Sequence, residues 1–471
     1  MIKRKLVIVL MLVLLAMCTA GTVDAQSWKK KNDRHKHRNK KDKNKAVAGD
    51  DKYLSKKQEK KIRKEQKHKE KQERKKQKRE RKKQKHESYE ERESADVPAG
   101  RPGDAYPYTK MKARYRVDIL AALYLDELVK GESVTYKNKI PEKAAQGLAF
   151  YEGILIAADS LKKAGFKIDI YVHDISSAAE TPQMLVAEDK LDSTDLIIGA
   201  IQSRDVPMLA AYARKKQINF VSTVSQPGNL RGNVYFTAME PSLQSHCDWI
   251  AGNVINTFQG MNIALLYRTS EPGDEVAYRH MTVDNAYHRF YRELSCDVLP
   301  TKEKLAKIFD TTIPNIVIIP ILSAGYADTL LTKLSRDFPF THFEVYGMPT
   351  WSAMKNLLKK NAFPNLSINI TIPFHVDPYS APAKYVSRIY KKDYGNRAPE
   401  SVYRGYETMF WYANLLKRYG TIFNVRYEDN TTAPFTSFEM KPLLDRNGEI
   451  MFYENKHVFL SKYEGGVNKT E

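Results

Sequence analysis

The sequence predicts an α/β protein of two lobes built on parallel sheets, preceded by a long basic segment. Three observations support this prediction: an apolar run close to the N-terminus, positive charge concentrated in residues 26–104, and short apolar strands that alternate with amphipathic helices after residue 105. Because the alternating part is longer than one hydrophobic core usually supports, we expect it to divide into two lobes.

The N-terminus has the features of a secretory signal peptide over residues 1–25. Three basic residues precede an apolar run from Leu6 to Met17, which is too short for a hydrocarbon core that needs about 20 apolar residues. The small residues that end at Ala25 predict cleavage there and a mature protein that begins at Gln26. Lipidation of Cys18 is the alternative, although the residue before it is bulkier than in the usual lipoprotein motif. Either route predicts a periplasmic or envelope-associated protein.

Residues 26–104 form a basic, low-complexity tether. Residues 26–100 contain 30 Lys and Arg against 14 Asp and Glu, a net charge of +16, whereas residues 105–471 have a net charge of only +3. Such a polar sequence buries too little apolar surface to offset the entropy of ordering, so it is predicted to be disordered. A single exposed helix is predicted around 56–93, where Lys, Arg, Glu and Gln dominate.

The charge of the tether predicts contact with anionic envelope polymers or with lipid headgroups. Nucleic acid is not expected as a partner, because the tether follows an export signal and has no Phe, Tyr or Trp between Lys29 and Glu93 beyond Tyr53 and Tyr89. A solvated spacer with no partner is the alternative.

After the tether, strands and helices alternate in a pattern typical of parallel sheets covered on both faces. The first series has predicted strands at Val117–Leu125, Ile168–His173, Asp195–Ile201, Asn219–Thr223 and Val234–Ala238, and helices at Ala144–Lys163, Thr181–Lys190 and Val206–Lys216. The second series has predicted helices at Leu243–Phe258, Glu275–Leu294 and Tyr326–Asp337, and strands at Asn262–Arg268, Asn315–Leu322 and Glu344–Met348.

Several of these segments, in this order, resemble the type 1 periplasmic solute-binding fold, the family of branched-chain amino-acid binding proteins and receptor ligand-binding regions. The segments are Gly147–Gly153 with Ala157–Leu161, Ile168–Asp174, Asp195–Ala200, Ile218–Ser222, Asn262–Tyr267, Ala383–Tyr394 and Gly395–Pro399. The resemblance implies two Rossmann-like lobes joined by multiple hinge crossovers. It places residues 110–240 and 372–425 in the first lobe and residues 241–371 and 426–460 in the second.

The resemblance also implies a ligand site at the carboxyl ends of strands that face the cleft between the lobes. The candidate contacts, chosen by position, are Tyr124, Gln202, Ser203, Ser222, Thr223, Tyr267, Ser323 and Trp351. The two serines at 203 and 222 could instead cap helices, and the aromatic residues 267 and 351 could pack between the lobes.

The loop after the first strand departs from the family pattern. The family has a Pro and a Gly there, whereas this chain has the tyrosine-bearing segment Ala122–Glu127. An amino-acid ligand is therefore not implied, although helix N-termini and backbone amides at strand ends suit a carboxylate or another anion.

The sequence predicts a non-enzymatic protein that captures a small molecule between its lobes, in transport or sensing. It contains no GxSxG, HExxH or phosphate-loop motif. His375 and Asp377 supply only two of the ligands that a metal site needs, so neither a metal nor a cofactor is expected. The alternative is an envelope scaffold or activator that keeps the fold but contacts an envelope protein or the cell wall. Cys247 and Cys296 are either two buried thiols or a disulfide.

Overall fold

A computed structural model of the protein describes residues 108–470, except 138, 225–229, 231, 285–287, 311 and 446, together with the backbone of residues 95–97. The predicted signal peptide and the helix predicted around 56–93 lie outside the described residues.

The N-terminal part of the described chain alternates between strands and helices. Its strands are β1 (Ala95–Val97), β2 (Thr109–Met111), β3 (Tyr115–Ala121), β4 (Val129–Lys130), β5 (Ser133–Val134), β6 (Ile168–Asp174), β7 (Leu196–Ala200), β8 (Asn219–Ser222) and β9 (Phe236–Ala238). Its helices are α1 (Leu125–Leu128), α2 (Glu142–Lys163), α3 (Pro182–Ala187) and α4 (Val206–Lys216).

The alternation then continues through the second half of the chain. The next helices are α5 (Leu243–Thr257), α6 (Pro272–Thr282), α7 (Lys302–Ala306) and α8 (Ala324–Asp337), and the strands among them are β10 (Asn262–Tyr267), β11 (Arg292–Ser295), β12 (Asn315–Ile318), β13 (Phe343–Gly347) and β14 (Leu366–Ile372). The C-terminal elements are α9 (Ala381–Tyr394), α10 (Glu400–Tyr419), β15 (Met440–Leu444), β16 (Ile450–Asn455), β17 (Phe459–Glu464) and β18 (Val467–Thr470).

Fourteen of the described strands form one seven-stranded sheet in each lobe, and the pairs β1-β2 and β4-β5 form two further small sheets. The first sheet has the order β15-β16-β9-β8-β7-β3-β6 and is parallel except where β15 pairs with β16. The second has the order β11-β10-β12-β13-β14-β17-β18 and is parallel as far as β14, with β17 and β18 added antiparallel. The predicted α/β fold with two lobes is therefore confirmed, and the sheets are mixed rather than wholly parallel.

Helices cover both faces of each sheet, which explains why the central strands are apolar along their whole length. The strands β8 and β12 are buried at every residue. On one face of the first sheet, α2, α9 and α10 pack in a single apolar cluster, and α4 packs on the other face. This double burial removes the period-two alternation of polar and apolar residues that a half-exposed strand would show.

The helices α2 and α10 lie in unusually close contact. A methyl group on Gly153 would overlap the backbone carbonyl oxygen of Val402, and a methyl group on Gly405 would overlap that of Phe150. Each glycine thus faces the backbone of the other helix, so the absence of a side chain on both sides permits this approach.

The tail of the chain corrects the predicted lobe boundaries. Residues 426–460 were expected in the second lobe, but β16 pairs in parallel with β9 of the first sheet, and β15 adds to its edge. Of the four C-terminal strands β15–β18, only β17 and β18 belong to the second sheet. The partner of β16 lies more than 200 residues earlier in the chain, and a pairing over that distance leaves no local pattern in the sequence.

Two further predictions about local structure were wrong. The helix expected over Glu275–Leu294 ends at Thr282, and the residues Arg292–Ser295 form an edge strand that pairs with β10. Residues 95–97, which were assigned to the tether, pair antiparallel with β2. In both cases strand pairing outweighs a local sequence that favours helix or disorder.

The chain crosses between the two sheets three times. The first crossover follows β9 and leads into α5, the second (residues 373–380) follows β14 and leads into α9, and the third (residues 456–458) joins β16 to β17. The end of β16, which leads into the third crossover, contacts the first crossover, because the side-chain amide of Asn455 donates a hydrogen bond to the backbone carbonyl of Met239 (3.1 Å).

The two cysteines Cys247 and Cys296 are free thiols buried in the core of the second lobe. The disulfide alternative is therefore not observed. Within the part of the chain that the structure describes, no helix combines the length and the apolar character needed to cross a membrane.

Candidate functional site

Three of the predicted site residues lie at the carboxyl ends of β3 and β7 in the first lobe. Tyr124 has a left-handed backbone conformation (φ 55°), and its backbone N–H donates to Asp174 (3.2 Å) and to Ser176 (2.7 Å). The carboxylate of Asp174 also accepts hydrogen bonds from the backbone N–H groups of Leu123 and Leu125, the two neighbours of Tyr124. This residue of β6 therefore fixes the loop that lacks the family's Pro and Gly. Gln202 and Ser203 are exposed, at the start of the turn that leads into α4.

Ser222 and Thr223 lie at the end of β8 and are hydrogen-bonded locally. The Ser222 hydroxyl is fully buried and donates to the backbone carbonyl of Val224 (3.2 Å). The Thr223 hydroxyl donates to the backbone carbonyl of Gly199 (3.2 Å). Both hydroxyls thus bond to nearby backbone carbonyls at the carboxyl ends of inner strands.

The predicted residues of the second lobe are also engaged within their own lobe. Tyr267 stacks on Tyr278, with the ring centroids 4.1 Å apart. Ser323 is the N-cap of α8 and accepts a hydrogen bond from the backbone N–H of Tyr326. Trp351 is completely buried, and its indole N–H donates to the backbone carbonyl of Ile321 (2.7 Å). Ser323 thus caps a helix, and Trp351 packs in the core of the second lobe.

A cavity with a volume of about 610 Å³ lies at the junction of the lobes. We call it the interlobe cleft. The second lobe provides Pro349 and Ser352 after β13, the last residue of β14, and residues of β17 and β18. The second crossover provides residues 373–376 and Pro378, and the first lobe provides the start of α10. None of the eight residues predicted from the sequence lines this cleft.

The polar groups of the interlobe cleft come mainly from two surfaces. Beside the start of α10 lie the charged or hydroxylated side chains Arg397, Glu400, Tyr403 and Arg404. From β17 and β18 come Ser461, Tyr463, Asn468 and Thr470. The Ser461 hydroxyl donates to the side-chain oxygen of Asn468 (2.8 Å), so the two strands hold this polar surface in a fixed arrangement.

Arg404 connects α10 to two of the crossovers. Its guanidinium donates to Glu240 of the first crossover (2.7 Å) and to Glu400 one turn earlier on its own helix (2.8 Å). The same group lies 4.9 Å from the ring centroid of Phe374 in the second crossover. Two carboxylates and one aromatic face therefore hold this arginine at the junction.

His375, in the second crossover, gives the cleft a polar group without a charge at neutral pH. Burial lowers the pKa of its imidazole below the ordinary value, although Asp377 and Glu400 act in the opposite direction. Its ring lies against Phe459 at the start of β17, with the centroids 5.8 Å apart.

A second cavity of about 30 Å³ lies beside the interlobe cleft. It shares Pro373, Phe374 and Arg404 with the cleft, and Thr223 is the predicted site residue that lines it. Its size suits water rather than an organic ligand.

Glu454 fixes the third crossover to the first. Its carboxylate is fully buried and accepts hydrogen bonds from the backbone N–H of Ser242 (2.6 Å), the hydroxyl of Ser245 (2.7 Å) and the ammonium of Lys456 (2.9 Å). A residue of the first sheet thus caps α5, the first helix of the second lobe.

Most residues of the cleft lie away from the carboxyl ends of the parallel strands, where the family resemblance implies a ligand site. Arg397 and Glu400 lie around a glycine-proline turn whose sequence indicates the fold but not a site, and the pattern around His375 suggests no more than half of a metal site. The described part of the chain contains no cluster of three or more His, Cys, Asp or Glu side chains that could hold a metal.

Comparison with solved structures identifies the fold. The structure resembles a putative branched-chain amino acid ABC transporter protein from Rhodospirillum rubrum with a TM-score of 0.53, at 11% sequence identity, over 76% of this chain and 99% of that one. An ABC transporter substrate-binding protein from Desulfitobacterium hafniense, in complex with Leu, matches with a TM-score of 0.46 at 14% identity, over 76% and 100% of the two chains. The C-domain of LpoA from Haemophilus influenzae, described as a regulator of PBP1A, matches with a TM-score of 0.48 at 14% identity, over 76% and 99%.

No protein-family model matches the sequence, and no match was found among curated proteins. The chain has the type 1 periplasmic-binding-protein fold that the sequence resemblance implied.

Proposed function

We propose that this protein is an exported, non-enzymatic binding protein that captures a small molecule between its two lobes, in transport or in sensing. The observation that supports this proposal is the interlobe cleft, whose walls come from both lobes and from the second crossover. A ligand in contact with both lobes would stabilise their closed arrangement through interactions that an open arrangement lacks.

The size and lining of the cleft favour a small molecule. Its volume of about 610 Å³ lies within the range of roughly 300–1,000 Å³ that is typical of small-molecule sites. The rings of Phe374, Tyr403 and Tyr463 alternate with charged and hydroxylated side chains around it. Such a combination supplies apolar contact area together with a few polar groups that orient a ligand.

We also propose that the protein resides in the periplasm or at the cell envelope, held there by its tether. The apolar run at positions 6–17 and the net charge of +16 over residues 26–100 support this location. Anionic envelope polymers or lipid headgroups are the proposed partners of the tether.

A thermal-shift screen tests the binding proposal. Amino acids, short peptides, nucleosides, sugars and cell-wall fragments would each be added to the purified protein. A ligand at about 100 times its dissociation constant adds roughly 2.7 kcal/mol of stability, so a binder should raise the melting temperature by a few degrees.

Site variants and a recovery experiment complete the screen. Ser203→Ala alters an exposed residue outside the cleft, so it should leave the shift intact; if it abolishes the shift, the ligand lies at the strand ends that the sequence predicted. If no compound shifts the melting temperature and the protein is recovered bound to another envelope protein, the binding proposal is wrong and the scaffold alternative replaces it.

A further inference from the structure

We infer that the ligand of the interlobe cleft carries a carboxylate or another anionic group, and that Arg397 binds it. This inference rests on the proposed function, because it names the ligand class of the same cleft. It depends on the balance of charge among the side chains that line the cavity.

Most charged groups in the lining already neutralise one another. The guanidinium of Arg404 is shared between Glu240 and Glu400, and Glu400 is the acidic side chain of the lining. Burial lowers the pKa of His375, which keeps its imidazole uncharged at neutral pH. The side chains that line the cleft thus include two arginines and one glutamate, and that glutamate is paired with Arg404, so the lining favours an anionic over a cationic ligand.

Arg397 is different because its charge is not balanced within the described structure. It is exposed, it lines the cleft, and it makes no ion pair or hydrogen bond with another described residue. A guanidinium presents five N–H donors in a planar arrangement that matches a carboxylate or a phosphate in a bidentate manner. The lining therefore has one uncompensated positive charge of the kind that recognises an oxyanion.

The backbone holds Arg397 in place. The preceding helix α9 ends at Gly395, which adopts a left-handed conformation (φ 75°) as its C-cap. Pro399 follows and precedes the first residue of α10. A short turn between a C-capping glycine and a proline restricts the conformations open to the arginine, which reduces the entropy lost when it binds a ligand.

Matched pairs of compounds test this inference. Each pair consists of a carboxylate and a neutral analogue: N-acetyl-L-leucine with N-acetyl-L-leucinamide, D-glucuronate with D-glucose, and N-acetylmuramate with N-acetylglucosamine. We expect binders to come from the carboxylate members, with dissociation constants at least about tenfold lower than those of their analogues, equivalent to about 1.4 kcal/mol.

The variants Arg397→Gln and Lys392→Gln complete the test. Both remove one positive charge from an exposed position, but Lys392 does not line the cleft. Arg397→Gln should weaken binding of the acid about tenfold or more and remove the difference within the pair, whereas Lys392→Gln should change neither. The unliganded melting temperatures of the two variants should match, which shows that both are folded.

The outcomes separate this inference from the proposed function. If a neutral analogue binds as tightly as its acid, or if Arg397→Gln behaves like Lys392→Gln, the inference fails while the binding proposal stands. If the wider screen finds binders only among compounds without an anionic group, the inference also fails while the binding proposal stands. If no compound of the pairs or of the wider screen shifts the melting temperature and the protein is recovered bound to another envelope protein, the binding proposal fails, and the inference falls with it.

Discussion

Glu407 is a buried carboxyl group beside the junction of the lobes. It lies on α10, and its two oxygens accept hydrogen bonds from the backbone N–H groups of Phe435 and Thr436 and from the Thr436 hydroxyl, at 2.7–3.0 Å. Burial raises its pKa to about 7, against the effect of these three donors. The carboxyl therefore joins α10 to the segment that leads to β15. Because burial disfavours its ionised form, its contribution to the stability of the fold depends on pH.

The raised pKa predicts the sign of one contribution to stability. Between the ordinary pKa of 4.5 and the folded-state value of about 7, the folded protein retains a proton that the unfolded chain has released. This group's contribution to stability is thus fully present below pH 4.5 and is lost as the pH rises towards 7, by about 1.4 kcal/mol per pH unit.

The variant Glu407→Gln should lack this slope, because its amide mimics the protonated carboxyl. Urea denaturation of both proteins at pH 5, 6 and 7 measures the difference. The pKa of Glu152 is also raised to about 7 by burial, but both proteins keep this residue, so their difference isolates Glu407. Parallel curves of stability against pH would show that Glu407 does not titrate in this range.

Trp351 illustrates how the surroundings of a residue decide its role. A tryptophan shortly after a predicted strand is equally compatible with a ligand platform and with core packing. The structure places its ring against Gly347, at a position where any side chain would overlap it. The indole is fully buried and hydrogen-bonded to Ile321, so a role in ligand contact would require the second lobe to open.

At the scale of elements, the glycine contact between α2 and α10 is the most sensitive packing feature of the first lobe. Gly153→Ala would place a methyl group on the carbonyl oxygen of Val402, a backbone atom that cannot rotate away. We expect the variant to lose roughly 1–3 kcal/mol of stability, as overpacked cores do.

The matched control is Gly252→Ala, in the interior of α5. No atom lies within 4 Å of the added methyl group at this position, so the higher helix propensity of alanine should stabilise the protein by roughly 0.5–1 kcal/mol. Denaturant unfolding of both variants compares the two effects. A stabilising effect of Gly153→Ala would mean that the two helices are not packed this closely.

The elements that were predicted wrongly share one property. The strands β11 and β15 have largely exposed side chains, and β16 pairs with a strand that is distant in the sequence. By contrast, α4 was predicted over the same residues that the structure shows, because an amphipathic helix is specified by neighbours three and four residues apart. Edge strands lack such a local signature.

At the scale of the whole molecule, the interlobe cleft lies beside the crossovers, and the second of them lines it. Arg404 contacts the first and second crossovers, and Glu454 connects the third to the first. A ligand in the cleft would thus contact the same segments that any relative movement of the lobes must bend.

The proposed export can be tested on the complete chain. N-terminal sequencing or mass spectrometry of the protein recovered from the periplasm should identify Gln26 as the first residue, because small residues precede it at the predicted cleavage position. A mature chain that begins at a lipid-modified Cys18 would contradict this prediction. It would also attach the tether to the membrane through a covalent anchor.

Composition and the spacing of apolar residues were enough to predict the α/β class, the two-lobed organisation, most of the central strands and helices, and the separation of a basic segment from a nearly neutral folded part. These properties follow from composition and from local periodicity, which neighbouring residues specify. The tertiary structure alone decided which lobe receives the tail, that Trp351 belongs to a core, and that Arg397, His375 and Tyr463 line one cavity. Those side chains come from different elements, up to 88 residues apart in the numbering, and only the crossovers between the lobes bring them together.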